Sequence, residues 1–135
     1  MTDEPRPPTS AVVNVAAFRG ALRAFLRDSE RVARANGLTP QRYLLLLMIK
    51  GAPDGSEQTT ITELARRLAL AQSTVTELVQ RAEEIGLVRR EQSETDGRVA
   101  HIGLTEEGER RLARAFTALG VERRRLRRAF DELED

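Results

Sequence analysis

Between Gln72 and Arg81 the chain sets short polar and charged side chains where a helix would present them together. Gln72, Ser73, Thr74, Thr76 and Glu77 fall on the first turns of an amphipathic stretch. Its apolar stripe is Val75, Leu78, Val79, Ala82 and Ile85. Hydroxyl, amide and carboxylate groups of this reach exchange hydrogen bonds with base edges when a helix enters a major groove N-terminus first. Arg81, four residues after Glu77, adds a cation at ion-pair spacing. Glu77 itself repels phosphate. It either accepts from a cytosine amine or pairs with Arg81, and the helical spacing favours the pair. Catalytic chemistry finds no comparable grouping. Ser73 has no histidine in a motif near it, and His101 lies in a strand-like segment. Glu83-Glu84 and Glu106-Glu107 are adjacent on helices and diverge, and no Gly-rich phosphate loop is present. The chain is not expected to be an enzyme.

The elements that would position these groups are legible around them. Thr60 with Glu63 three residues on forms a capping box, and Ile61, Leu64, Ala65 and Leu68 recur at helical spacing. Ala65 is small where two helices would cross, and Leu70, Val75 and Leu78 would fill the space between them. Ala69 stands at the turn. If the turn needs a positive φ there, alanine costs about 1 kcal/mol; in a wider turn it takes an ordinary conformation. Gly86 sits just past the second helix, where a left-handed cap is wanted. Leu87 to Arg90 then reads as a strand, Gln92 to Gly97 as a turn, and Val99 to Leu104 as a returning strand. Arg98 near the tip could enter a narrow minor groove. Asp96 does not favour phosphate and is expected to pair with Arg98 and hold it extended. Arg66, Arg67, Arg89 and Arg90 are expected to face DNA backbone, with Glu83 and Glu84 facing away.

The motifs Gly37-Leu38-Thr39-Pro40, Ile61-Thr62-Glu63-Leu64-Ala65, Ser73-Thr74-Val75-Thr76 and Gly86-Leu87-Val88 occur in that order. Asp96-Gly97-Arg98 then runs into Leu104-Thr105-Glu106-Glu107-Gly108. Together they resemble the MarR family of winged-helix transcriptional regulators over roughly Gly37 to Leu112. The wing motif running into Leu-Thr-Glu-Glu-Gly is the most specific of them. The resemblance implies a mainly α fold with a small β-wing, a winged helix-turn-helix with N- and C-terminal dimerisation helices. It also implies a homodimer on a pseudo-palindromic operator in double-stranded DNA, usually a repressor released by a small ligand or by oxidation. Two departures are visible: Ala69 where many such turns carry Gly, and Glu77 where the family often has a basic residue.

The flanks fit one domain over residues 11–135, behind a flexible tail at 1–10. Residues 40–105 form the winged-helix core, and 11–36 with 106–135 the dimerisation helices. Val15, Phe18, Leu22, Phe25, Leu26 and Val32 make one face of a long first helix. Arg19, Arg23, Arg27 and Arg31 repeat every four residues beside it, as a solvated face, a dimer seam or a surface near DNA. Thr39 caps the next helix with Pro40 at its first position. Tyr43 to Ile49, apolar on all sides, should lie at the centre, and Ala52 to Gln58 should be a polar loop. Thr105 caps a helix with Glu106 and Glu107 in its first turn. Gly120 either interrupts that helix or is run through, and the segment after Thr105 looks short for the family's two closing helices. Val12, Val15, Leu119, Leu126, Phe130 and Leu133 are expected at the dimer interface. Family members often bind a small aromatic or anionic effector between the dimer region and the winged helix. Phe25, Tyr43 and Leu47 would border such a cavity, or are plain core.

Composition bounds the rest. The 135 residues carry 22 basic and 21 acidic side chains, a net charge of +1. Within Ile61 to Thr105, Arg66, Arg67, Arg81, Arg89, Arg90 and Arg98 stand against Glu63, Glu77, Glu83, Glu84, Glu91, Glu94 and Asp96, a net of −1. DNA binding therefore has to rest on placement, not on a global basic patch, and should weaken steeply with salt. No cysteine is present, which excludes oxidant sensing by a thiol of this chain. With a single histidine, no metal or other cofactor is expected. The apolar run Tyr43 to Ile49 falls far short of the roughly 20 residues a membrane helix needs. The Pro-rich start lacks an apolar signal region, so a cytoplasmic location is expected. The competing function is a winged-helix module that binds protein and has no DNA target of its own.

Overall fold

A computed structural model describes residues 3–95 and 97–133. The order of elements is α1 (Thr9–Ala35), α2 (Pro40–Lys50), β1 (Gln58–Thr59), α3 (Ile61–Leu68), α4 (Gln72–Glu84), β2 (Val88–Gln92), β3 (Ala100–Leu104), α5 (Glu106–Ala118) and α6 (Gly120–Asp131). The mainly helical fold with a small sheet is the expected class. Helix α1 begins at Thr9, two residues inside the segment expected as a tail.

Three threonines start helices because their hydroxyls satisfy an otherwise orphaned amide. Thr39 accepts from the Arg42 amide at 3.1 Å, Thr60 from Glu63 at 3.2 Å and Thr105 from Gly108 at 3.1 Å. Pro40 opens α2 as its spacing predicts. The capping box at Thr60 is only half made, because the Glu63 carboxylate turns to Arg66 at 2.7 Å. Gly86 has φ +77°, and the Leu87 amide beyond it reaches back to the Ala82 carbonyl at 2.9 Å. This is the left-handed stop that glycine makes without steric cost.

The turn between α3 and α4 decides the open question at Ala69. Its φ is 55° and its ψ 44°, and the Leu70 amide bonds the Ala65 carbonyl at 3.0 Å. Alanine is therefore held in a conformation that its Cβ disfavours. Ala69→Gly is expected to raise stability by about 1 kcal/mol, read as a higher urea midpoint. An unchanged or lower midpoint would mean the turn has no strain to release.

The core is built from α1 to α5 and the sheet, with Leu119 before α6, while α6 itself buries no residue. Leu45, Leu46 and Ile49 of α2, Leu64 of α3, Val75 and Val79 of α4, Leu87, and Ile102 of β3 have almost no exposed surface. Each such aliphatic side chain contributes about 1.5–3 kcal/mol by leaving water. Helix α2 lies at the centre, but not buried on all sides: Leu44 is 41% exposed. Leu70 does not fill the helix-turn-helix space, since it is 39% exposed.

The sheet has the order β1-β3-β2 and is antiparallel throughout. Strand β1 occupies the end of what the sequence presents as a loop. Gln58 pairs with Gly103 and Thr59 with Ile102. Two residues carry no alternation to read, so only the neighbouring strand reveals it.

At the C-terminus both closing helices are present, in place of the shortened region expected. Leu119 breaks the path with φ −96° and ψ 11°, and α6 starts at Gly120. Helix α6 packs on α1, with the rings of Phe18 and Phe130 edge to face at 6.1 Å. Leu119 itself lies wholly in the protomer core and offers no surface to a partner chain, contrary to the expectation for a dimer contact. Among the described residues no helix is long and apolar enough to cross a membrane.

Candidate nucleic-acid interface

Helix α4 is anchored by Val75, Val79 and Ala82, all buried. Three and four residue spacings put these on one side, so Gln72, Ser73, Thr74, Thr76 and Glu77 stand exposed on the other. The N-cap position is Ala71, whose side chain cannot accept a hydrogen bond, so the first amides of α4 have no side-chain cap. Such amides favour an anion. Gln72 Nε2 lies 3.4 Å from Thr62 Oγ1, a long contact that leans the amide toward α3. Arg81 donates to Glu77 at 2.6 Å, the pairing that the spacing favours, and both side chains are well exposed.

Strands β2 and β3 form a wing, paired from Val88 opposite Leu104 to Gln92 opposite Ala100. The Ser93 amide bonds the Val99 carbonyl at 2.8 Å and closes its tip. Arg98 is exposed on the returning side. Asp96 lies outside the described residues, and with it the proposed Asp96–Arg98 pair.

The four arginines expected at the DNA backbone separate by what they touch. Arg66 is exposed and paired with Glu63. Arg67 turns inward: it donates to the carbonyls of Met48 at 2.8 Å and Gly51 at 3.3 Å, closing the C-terminus of α2. That corrects its assignment, because a guanidinium satisfying the last carbonyls of a neighbouring helix is committed to the fold. Arg89 bonds Glu91 and lies over its register partner Gly103. Arg90 approaches Glu83 at 3.9 Å, so Glu83 does not simply face away from it. These pairs are exposed and worth little each, so Arg66, Arg89 and Arg90 can exchange their carboxylates for phosphate.

The wing root is joined to α5 by Thr105. Its hydroxyl donates to the Gly86 carbonyl at 2.6 Å while accepting from Gly108, and its amide bonds the Leu87 carbonyl at 3.1 Å. Arg110 and Arg111 both donate to Glu107 and hold its carboxyl down at about 2. A depressed carboxylate adds stability above its ordinary range, and that contribution is lost as pH falls from there toward 2. Lys50 bridges Glu57 and Glu109, each at 3.0 Å, tying α2 to the β1 loop and to α5. Those two carboxylates raise the Lys50 pKa. Glu107 meets Arg110 and Arg111 at ordinary helical spacing, whereas Thr105 with Gly86 and Lys50 with Glu109 join residues far apart along the chain, which no local spacing reveals.

Behind this face lies a cleft of about 380 Å³ bordered by α1, α2, α5 and α6. Phe25, Tyr43 and Leu47 all line it, and Phe116 and Arg123 join them. The Arg123 guanidinium sits 3.7 Å from the centre of the Phe116 ring. Burial pushes the Tyr43 phenol up, and the nearby charge of Arg123 pulls it part of the way back. The sequence places Phe116 on an apolar helix face and Arg123 in a basic run; only the packing of α6 brings them to the cleft.

The sequence profile of the MarR family matches residues 36–99, from the C-cap of α1 to the residue before β3. Residues 36–99 belong to the MarR family. A protein of Thauera aromatica named for regulation of the hcr operon is 31% identical over 101 residues, 75% of this chain and 58% of that one. The chain thus spans little more than half the length of that curated relative. This MarR-family fold also matches the crystal structure of AbsC, a MarR family transcriptional regulator from Streptomyces coelicolor. The TM-score is 0.67 with 22% identity, over 98% of this chain and 86% of AbsC. It matches the structure of reduced AbfR bound to DNA with a TM-score of 0.60 and 28% identity, over 76% of this chain and 72% of AbfR.

Proposed function

We propose that this MarR-family chain is a transcriptional regulator that binds double-stranded DNA as a homodimer on a pseudo-palindromic operator. It acts as a repressor released by a small aromatic or anionic effector. The observation that carries DNA binding is the outward face of α4. Gln72, Ser73, Thr74 and Thr76 are exposed over its first turns while Val75 and Val79 hold the helix in the core beside a wing. The similar reduced AbfR is bound to DNA in its structure. Half-sites then lie about one DNA turn apart, ~34 Å. The effector site is the cleft of Phe25, Tyr43 and Leu47, which lies between the α1/α6 pair and the winged helix.

Binding to the DNA upstream of its own gene, measured by fluorescence anisotropy across salt concentrations, tests this. Arg98→Ala is expected to weaken operator binding roughly tenfold at fixed salt. Thr74→Ala should cost about 1 kcal/mol on the operator and much less on unrelated duplex. Equal losses on both DNAs would make Thr74 a phosphate contact. No salt-sensitive binding to any duplex would favour a protein-binding module instead.

A further inference from the structure

The effector cleft does not end at Phe116. A second cleft of about 360 Å³, between α2 and α5, also has that ring in its wall. Leu47 and Phe116 line both cavities, so they are the partition between them. The far cleft is walled by Leu112, Ala113 and Thr117, with Lys50 and Glu109 at its edge. Phe116 is an unusual partition, since it is 48% exposed and carries the Arg123 guanidinium over its ring.

Each cavity is lined by one cation and one carboxylate, Arg123 and Glu30 in the first and Lys50 and Glu109 in the second, but the two cations differ in their partners. Lys50 is neutralised by Glu57 and Glu109. Among the described residues no carboxylate pairs with Arg123. Its charge rests on the Phe116 face, an interaction worth about 0.5–2 kcal/mol. A carboxylate beside Arg123 offers a charge-assisted hydrogen bond roughly twice as strong as a neutral one. Drawing the guanidinium off the ring removes this contact from Phe116.

The geometry points to a two-chambered ligand site gated by Phe116 and Arg123, whose ligand is an elongated amphiphilic carboxylate. Its head group binds Arg123 in the first cleft, and its apolar body passes Phe116 into the second. This rests on the effector reading of the first cleft and adds the second chamber and the ligand's shape. A single-ring carboxylate reaches Arg123 but fills only the first chamber. Longer apolar bodies gain about 0.8 kcal/mol per methylene buried.

Calorimetric titration of the full chain with benzoate and with decanoate, below the concentration at which decanoate aggregates, tests the proposal. Decanoate is expected to bind saturably and at least about tenfold tighter than benzoate. Arg123→Gln should weaken both carboxylates. Ala113→Trp, at an exposed position lining only the second cleft, should remove the decanoate advantage and leave benzoate unchanged. Equal affinity for the two ligands, or decanoate binding untouched by Ala113→Trp, overturns the second chamber while leaving the effector cleft standing. Failure of both carboxylates to bind overturns the effector reading along with it.

Discussion

Gly108→Ala is expected to lower the stability of the fold by about 3 kcal/mol. A Cβ on Gly108 would stand 2.1 Å from the Leu87 carbonyl oxygen and 3.1 Å from its carbon. That carbonyl cannot step aside, because it accepts from the Thr105 amide, and the Gly86 carbonyl before it accepts the Thr105 hydroxyl. Leu87 and Val88 are buried at the same place, so moving the backbone would open the core beneath the wing. Urea denaturation checks this against Gly20→Ala in the middle of α1. There nothing lies within 4 Å of the new methyl, and alanine should stabilise by about 0.5–1 kcal/mol through helix propensity. A Gly108→Ala midpoint close to that of the unmodified chain would show that α5 can slide away from the wing root at little cost.

Val15→Asp is expected to leave the protomer folded and to reduce operator affinity at least about a hundredfold, by uncoupling the two half-site contacts that the proposed homodimer would make together. Val12, Val13 and Val15 of α1 are all more than half exposed, and Phe130 of α6 is 60% exposed. Leu126 of α6 and Leu133 just beyond that helix are partly buried. An apolar ridge on two mutually packed helices is the surface a second copy would cover. A charge there meets water in the protomer and apolar surface in the dimer, so it acts on association alone. Analytical ultracentrifugation at micromolar concentration should change from dimer to monomer. A variant that still sediments as a dimer would place the interface elsewhere.

Local chemistry was legible wherever the physical cause lay within a few residues. Thr39, Thr60 and Thr105 cap helices because a hydroxyl reaches only its own first turn. Gly86 stops α4 because φ there is left-handed, and the Glu77–Arg81 pair follows from helical spacing. The polar face at Gln72 to Thr76 follows from the apolar stripe opposite it. The wing follows from the strand, turn and strand pattern of Leu87 to Leu104, and the family resemblance added the two-fold arrangement as an expectation.

What sequence reasoning missed depends on residues brought together from distant parts of the chain. Strand β1 exists only because Ile102 and Gly103 offer it a ladder. Arg67 looks like a phosphate contact until α2 ends beside it with open carbonyls. Leu119 has the type of an interface residue, yet the break before α6 turns it inward. The cleft likewise needs α6 folded back on α1 before Arg123 can reach Phe116 and Tyr43. The sequence by itself determined the helices, their caps, the turn at Gly86 and the polar face of α4, since these obey spacing along one segment. Tertiary structure alone decided which arginines are spent on the fold, where the cavities open and which apolar side chains remain at the surface. Those outcomes depend on the packing of α1, α2, α5 and α6, which no local period encodes.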